Sequence, residues 1–302
     1  MAGESRFHEA FAAGRTAVIT GAADGIGLAA AQTFAGLGLN VVMADLGGDR
    51  LWQAAGAVRE ATRGGADVEA IQTDVADPAQ LIRLRERAFE RFGDVAVLMN
   101  NAGVGGGGHA FEHPDRWAKL LAVNLGGVIN GVQAFTQAMI VQNRAAVIIN
   151  TGSKQGITTP PGDTAYNVSK AAIKVLTEGL QHTLRETPAC QVSAHLLIPG
   201  FTYTGMIRRR IAEKPPGAWT APQVVDFMLE RVSAGDFYIL CPDNDTPRPL
   251  DDARMAWAAH DIIDNRPPLS RWHSDYKDAF AAFVAKGQGK RSDAGQSLEG
   301  KI

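Results

Sequence analysis

The chain has 302 residues, enough for one large domain, with 45% hydrophobic and 21% charged side chains, the mix of an ordinary globular protein. Lys plus Arg number 30 against 32 for Asp plus Glu, a balance that gives no reason to expect nucleic acid or an anionic membrane surface as partner. No apolar run reaches the roughly 18 residues of a membrane span, and residues 1–15 lack the apolar core of a secretory signal, so a cytoplasmic protein is the default expectation.

Seven short apolar runs, at 17–20, 40–44, 68–72, 95–99, 146–150, 192–198 and 237–241, read as strands. Helical patterns lie between them near 25–38, 50–63, 78–92, 114–142, 164–186 and 221–233. The strand runs are nearly continuous in apolar residues, as strands buried on both faces are. Regular alternation of strand and helix implies an α/β fold, a doubly wound parallel sheet of Rossmann type with helices on both faces. Residues 203–220 are an insertion with paired prolines, read as a lid. A turn-rich stretch at 242–249 leads into a helical C-terminal extension, with patterns from 251 to 265 and from 272 to 286. The expected organisation is one catalytic domain over 1–286, with its core at 15–241, and a polar tail at 287–302 expected to be disordered. Cys190 and Cys241 sit in or beside apolar runs and read as buried small hydrophobes.

The first strand runs straight into Thr20-Gly21-Ala22-Ala23-Asp24-Gly25-Ile26-Gly27 and a helix. Gly21 suits the tight turn, Gly25 lets a pyrophosphate approach the backbone, and Gly27 lets the helix pack on the sheet. Free N–H groups of the helix start, around Asp24 and Ile26, would meet the phosphates. A purely structural turn is the plainer alternative. Asp45 ends the second strand, where a carboxylate can accept from ribose hydroxyls and repel a 2′-phosphate. The cofactor expected is therefore NAD, with NADP second; Arg50, close in sequence, argues the other way. Capping the strand end is the simpler role for Asp45.

With these residues in hand, the chain resembles the short-chain dehydrogenase/reductase family, in its compact single-domain branch. The resemblance covers residues 15–204 closely and reaches about 241 more loosely. It rests on the T-G-x-x-x-G-x-G spacing at 20–27, Asp74-Val75, Asn100-Asn101-Ala102-Gly103, Asn124, Ser153, Tyr166-x-x-x-Lys170, Pro199-Gly200 and Thr204 in that order. It implies that Asp74 accepts from the adenine amine beside the Val75 backbone. Asn101, Ala102 and Gly103 would line the ribose side. Pro199 and Gly200 would lead to the Thr202 backbone and Thr204 hydroxyl, which hold the nicotinamide carboxamide. Asn124, Ser153, Tyr166 and Lys170 would form the catalytic tetrad. It implies a homodimer or homotetramer built on the Tyr166 helix and on the helix containing Gly126, Gly127 and Gly131. The long extension replaces the family's glycine-rich ending and favours the dimer.

An unperturbed phenol has a pKa of about 10. Lys170, one helical turn from Tyr166, is expected to lower it toward the working range of a general base. Ser153 would hold the reacting oxygen, and Asn124 would support a proton relay. The predicted function is an NAD-dependent oxidoreductase that interconverts a secondary alcohol and a ketone. The competing reading is a non-catalytic NAD-binding sensor or scaffold.

Phe201, Tyr203, Met206, Ile207 and Trp219 suggest an apolar lid over a hydrophobic or aromatic substrate. Arg208, Arg209 and Arg210 read as a solvated face rather than an anion site. His109 and His113 stand four apart but lack a third ligand, so a surface loop is the simpler reading. Trp257, Trp272 and His273 are candidates for covering the cleft or a partner subunit.

Overall fold

The computed structural model describes residues 8–208 and 211–286; Arg209, Arg210 and the tail expected to be disordered fall outside the described residues. In chain order the elements are β1 (Thr16–Thr20), α1 (Gly25–Gly36), β2 (Asn40–Asp45), α2 (Gly48–Glu60), β3 (Val68–Gln72), α3 (Pro78–Phe92) and β4 (Val97–Asn100). Next are α4 (Pro114–Leu121), α5 (Gly127–Val141), β5 (Ala146–Thr151), α6 (Gln155–Thr158), α7 (Thr164–Glu186) and β6 (Val192–Ile198). The remainder is β7 (Thr202–Tyr203), α8 (Gly205–Arg208), β8 (Trp219–Thr220), α9 (Ala221–Ser233), β9 (Tyr238–Leu240) and α10 (Arg248–Ile263), with α11 at 277–286.

The main sheet has seven strands in the order β3-β2-β1-β4-β5-β6-β9, all paired in parallel. Its central strands bury alternate residues in opposite layers. Ala17, Ile19, Val97, Met99, Val147 and Ile149 join Phe34, Val224 and Met228 on the α1 and α9 side. Val18, Leu98 and Ile148 join Leu84, Phe135, Met139 and Ile173 on the α3, α5 and α7 side. Burial on both faces is why the strand sequences show no polar alternation. The order reverses between β1 and β4, and ligands of such sheets bind at the carboxyl ends beside that point.

Helix ends follow their capping chemistry. The Asp77 side chain accepts from Ala79 N at the start of α3, and Gly93 ends it at φ +80°. Thr220 and Gln223 form a reciprocal capping box on α9.

The expected single helix over 114–142 is two helices joined by a π turn, Ala122–Gly126, centred on Asn124. Trp257 does not cover the cleft. It is 4% exposed and packs edge-on against Phe280 and Phe283 at 5.4 and 5.3 Å. The Arg266 guanidinium lies 3.9 Å over its ring, and its indole N–H donates to Ser270 Oγ at 2.8 Å. Trp257 thus builds a small core for the extension, while Trp272 and His273 lie at the surface. Cys241 is buried but Cys190 only partly so, and both are free thiols. Among the described residues no helix is long and apolar enough to cross a membrane.

Candidate active site

Gly21 and Gly25 have φ of +67° and +56°, the left-handed region that glycine enters without strain. A Cβ on Gly27 would lie 2.2 Å from Gly21 O, so α1 presses directly on the turn. The result is a bare backbone cradle at a helix N-terminus, the shape and polarity that a dinucleotide pyrophosphate requires. Thr20 Oγ1 accepts from the N–H groups of Asn101 and Ala102, at 3.0 and 3.2 Å. The Asn101 amide donates to Thr20 O at 3.1 Å. These bonds fix the ends of β1 and β4 side by side.

Asp45 Oδ2 accepts from Ala23 N at 3.0 Å, joining the end of β2 to the turn. Asp74 Oδ1 accepts from Ala76 N at 2.9 Å, shaping its loop. Asp24 caps α1 by accepting from Gly25 N at 2.6 Å. It also pairs with Arg50 at 2.8 Å and Arg208 at 2.6 Å. Arg208 is exposed, as expected of a solvated face, and from there it ties α8 to the glycine turn. On the same side, a Cβ on Gly25 would lie 3.0 Å from Thr204 Cβ.

The structure brings together Ser153, Tyr166 and Lys170, which follow β5 and open α7. Asp163 caps α7 through Tyr166 N at 3.2 Å. Its carboxylate also accepts from Gly106 N at 2.8 Å and Gly108 N at 3.2 Å, so it aligns the β4–α4 loop with the Tyr166 turn. The Ser153 hydroxyl lies near enough to the Tyr166 phenol to pull its pKa down. Lys170 Nζ lies 5.6 Å from the Tyr166 ring centroid and donates to Thr151 O at 2.8 Å.

Asn124 is fully buried. Its amide accepts from Val104 N at 2.7 Å and donates to Val104 O at 2.9 Å and Ser169 Oγ at 3.2 Å. The π turn lets Asn124 reach this loop, which carries Gly103 past Lys170.

The Tyr166 phenol is shifted up from its ordinary value, where the sequence led to the expectation of a downward shift. Burial pushes Tyr166 above its ordinary value; the Ser153 hydroxyl pulls it down, and the Asp163 charge raises it further. Burial likewise pushes Lys170 down to about 8. Desolvation is the largest cause of both shifts, because both groups are buried.

Gly127 and Gly131 serve close packing: a Cβ would lie 2.6 Å from Val75 Cγ2 and 2.1 Å from Asn100 Oδ1 respectively. Gly126 has no such contact under 3.6 Å. His113 takes φ +49° at the start of α4 and His109 lies in the preceding turn. Among the described residues, no group of three His, Cys, Asp or Glu is placed to hold a metal.

Sequence reading passed over three features. Asp163 carries a legible signal, a carboxylate just before a helix. The Asn100–Asn150 and Asn150–Thr177 hydrogen bonds, 2.8 and 3.1 Å, follow from strand register. The ion pairs of Lys154 with Asp243 and Asp251 join distant segments and leave no local trace.

A family model described as short chain dehydrogenase matches residues 15–215. The chain is 33% identical over 264 residues to a 1-deoxy-11-beta-hydroxypentalenate dehydrogenase of Streptomyces exfoliatus, covering 85% of this chain and 94% of that one. It is 33% identical over 198 residues to an NADP-dependent (R)-specific alcohol dehydrogenase of Lentilactobacillus kefiri, covering 64% and 75%. A short-chain dehydrogenase/reductase from Burkholderia phymatum, solved in complex with NAD, superposes with a TM-score of 0.77 at 35% identity, covering 86% and 98%. Fold, family model and relatives agree: the chain belongs to the short-chain dehydrogenase/reductase family and is an oxidoreductase acting on hydroxyl or ketone groups.

Proposed function

We propose that this enzyme is NAD-dependent and interconverts a secondary alcohol and a ketone, with Tyr166 as general acid/base. The observation that carries this reading is the Tyr166–Lys170 pair of α7, with Lys170 Nζ 5.6 Å from the Tyr166 ring centroid, standing beside Ser153 at the carboxyl end of the sheet next to the glycine turn. When bound, the dinucleotide supplies the hydride acceptor or donor and a positive ring in its oxidised form. Gly21, Gly25 and Gly27 hold the pyrophosphate against the α1 N-terminus with Asp24 and Ile26. Asp74 and Val75 hold the adenine, and Asn101, Ala102 and Gly103 line the ribose side. Pro199 and Gly200 lead to Thr202 and Thr204, which hold the carboxamide.

Ser153 donates to the substrate oxygen, and Tyr166 takes the carbinol proton in oxidation or returns it in reduction. Lys170 holds a ribose hydroxyl and opposes the burial that keeps the phenol protonated. Asn124, bonded to both Val104 backbone groups, maintains the loop through which the proton leaves.

The preference for NAD rests on Asp45 at the ribose end of β2. Arg50, the basic side chain near it in sequence, is paired with Asp24 at 2.8 Å and so is engaged away from a 2′-phosphate. The NAD in the Burkholderia structure supports the reading, while the Lentilactobacillus relative is named for NADP. For the substrate, the half-exposed lid side chains Phe201 and Met206 and the hydroxypentalenate relative favour a hydrophobic secondary alcohol. Exposed Val141 on α5 and Val168 and Val175 on α7 support a homo-oligomer formed through these helices, with the dimer as the minimal unit.

The test is NADH formation across a panel of hydrophobic secondary alcohols, with NADP run in parallel. Reduction of NAD by at least one alcohol is expected. Binding of NAD without turnover on the whole panel supports a sensor instead, and preference for NADP overturns the role given to Asp45.

A further inference from the structure

The turn after β9 belongs to the extension, yet its polar groups are spent on three segments around the cleft. Asp243 Oδ2 pairs with Lys154 Nζ at 3.1 Å and accepts from Phe201 N at 3.4 Å. Asn244 donates from its backbone to Gly217 O at 3.1 Å and from its amide to Pro216 O at 2.7 Å. A Cβ on Gly217 would lie 1.8 Å from Asp245 Oδ2, and one on Gly200 would lie 2.5 Å from Asp243 Oδ2. Both glycines leave room for these carboxylates. Phe201 stands just before the lid insertion and Gly217 near its far end, and its base is closed by a Trp219 N to Phe201 O bond of 2.8 Å.

Lys154 follows Ser153 directly, and its backbone N–H donates to Pro199 O at 3.1 Å. Its ammonium meets Asp251 of α10 at 2.5 Å as well as Asp243, with side-chain exposures of 13%, 4% and 9% for Lys154, Asp251 and Asp243. Charges this buried are costly unless paired, so the three side chains hold one another in fixed positions. Arg254 Nη1 stands 3.9 Å from the other Asp251 oxygen.

We propose that Lys154, Asp243 and Asn244 are positioning residues: they clamp the C-terminal extension to the Ser153 loop and to both ends of the lid, setting the lid over the reacting atoms. The proposal rests on the role given to Ser153 above. The bonds given for Lys154, Asp243 and Asn244 do not reach the glycine turn, which meets the lid separately through Arg208 and Thr204.

The test uses the full chain with Asp243→Asn, Asn244→Ala and Lys154→Met, the last with Lys154→Arg as its conservative partner. With NAD bound and no substrate, hydrogen exchange over 201–219 is expected to be faster by about tenfold or more in each variant, as loss of a local tether predicts. On an alcohol turned over by the wild type, kcat is expected to fall about tenfold, roughly the effect of losing one positioning contact. The NAD Kd should stay within about twofold, and Lys154→Arg should recover more kcat than Lys154→Met. Asn244→Ala removes bonds from an exposed side chain and keeps the test open if a buried variant does not fold. Unchanged exchange over 201–219, or a fall in melting temperature with kcat intact, overturns the proposal. If the wild type oxidises no alcohol, the functional reading fails while the exchange measurement still decides the clamp.

Discussion

At the glycine turn the chain presents bare backbone, whereas around Ser153 it presents charge. The turn works because Gly21, Gly25 and Gly27 leave no side chain in the way, and their neighbours pack to within 2.2–3.0 Å of where a Cβ would stand. Beside Ser153, Lys154 pairs with Asp243 and Asp251 from distant segments of the chain, while Tyr166 is held by the local cap of Asp163. A backbone cradle tolerates almost no added atom but is indifferent to pH. A site of buried charges tolerates small changes of shape but responds to every change of charge.

The sharpest way to break this comparison is to add an atom to the first region and remove one from the second. Tyr166→Phe should cost about 10²–10⁴ in kcat, the range of general acid–base catalysis, with NAD binding and melting temperature little changed. Near-normal turnover contradicts the assignment. Gly27→Ala should lose about 1–3 kcal/mol of stability by overpacking, together with most NAD affinity, measured by denaturant unfolding and by calorimetric titration.

Lys170→Met removes the buried charge together with its bond to Thr151 O. In the folded protein Lys170 titrates near 8 rather than its ordinary 10.5. The unfolded chain therefore holds more protons between these values, and wild-type stability should rise with pH across that window relative to the variant. Below pH 8 the cost of the buried ammonium is fully present. Its size is up to about 3 kcal/mol at 1.36 per pK unit, offset in part by the bond to Thr151 O. Paired melts from pH 7 to 10.5 read the difference, and a flat one contradicts the burial argument. Asp24→Asn keeps the helix cap but weakens the Arg50 pair, and should improve NADP relative to NAD by about threefold, the scale of a partly exposed ion pair. Competitive titration of the two cofactors measures it.

The backbone half of the site was legible because its chemistry is local. Three glycines, a strand before them and a carboxylate about twenty residues on are all within one βαβ unit. Tyr166 and Lys170 were legible by helical spacing, and every strand of the main sheet was found to within two residues, the central ones because burial on both faces writes a continuous apolar run. The π turn at Asn124 left no trace in the helical pattern of residues 122–126, and a bend there was expected only from the family resemblance; Asn124 meets Val104 and Ser169 from it. The exposure of Arg208 was legible but its partner was not, since Asp24 is 184 residues away. The fate of Trp257 followed from packing against Phe280 and Phe283, which no local pattern announces. Most consequentially, the direction of the Tyr166 shift depends on desolvation by loops that only the folded chain assembles.

Direct hydride transfer is the central claim, and isotope transfer tests it most directly. A secondary alcohol deuterated at its carbinol carbon should give NADH carrying one deuterium per molecule with the wild-type enzyme, and no labelled NADH with Tyr166→Phe on the same timescale. Unlabelled NADH from the deuterated alcohol, or equal labelling by the variant, would contradict it.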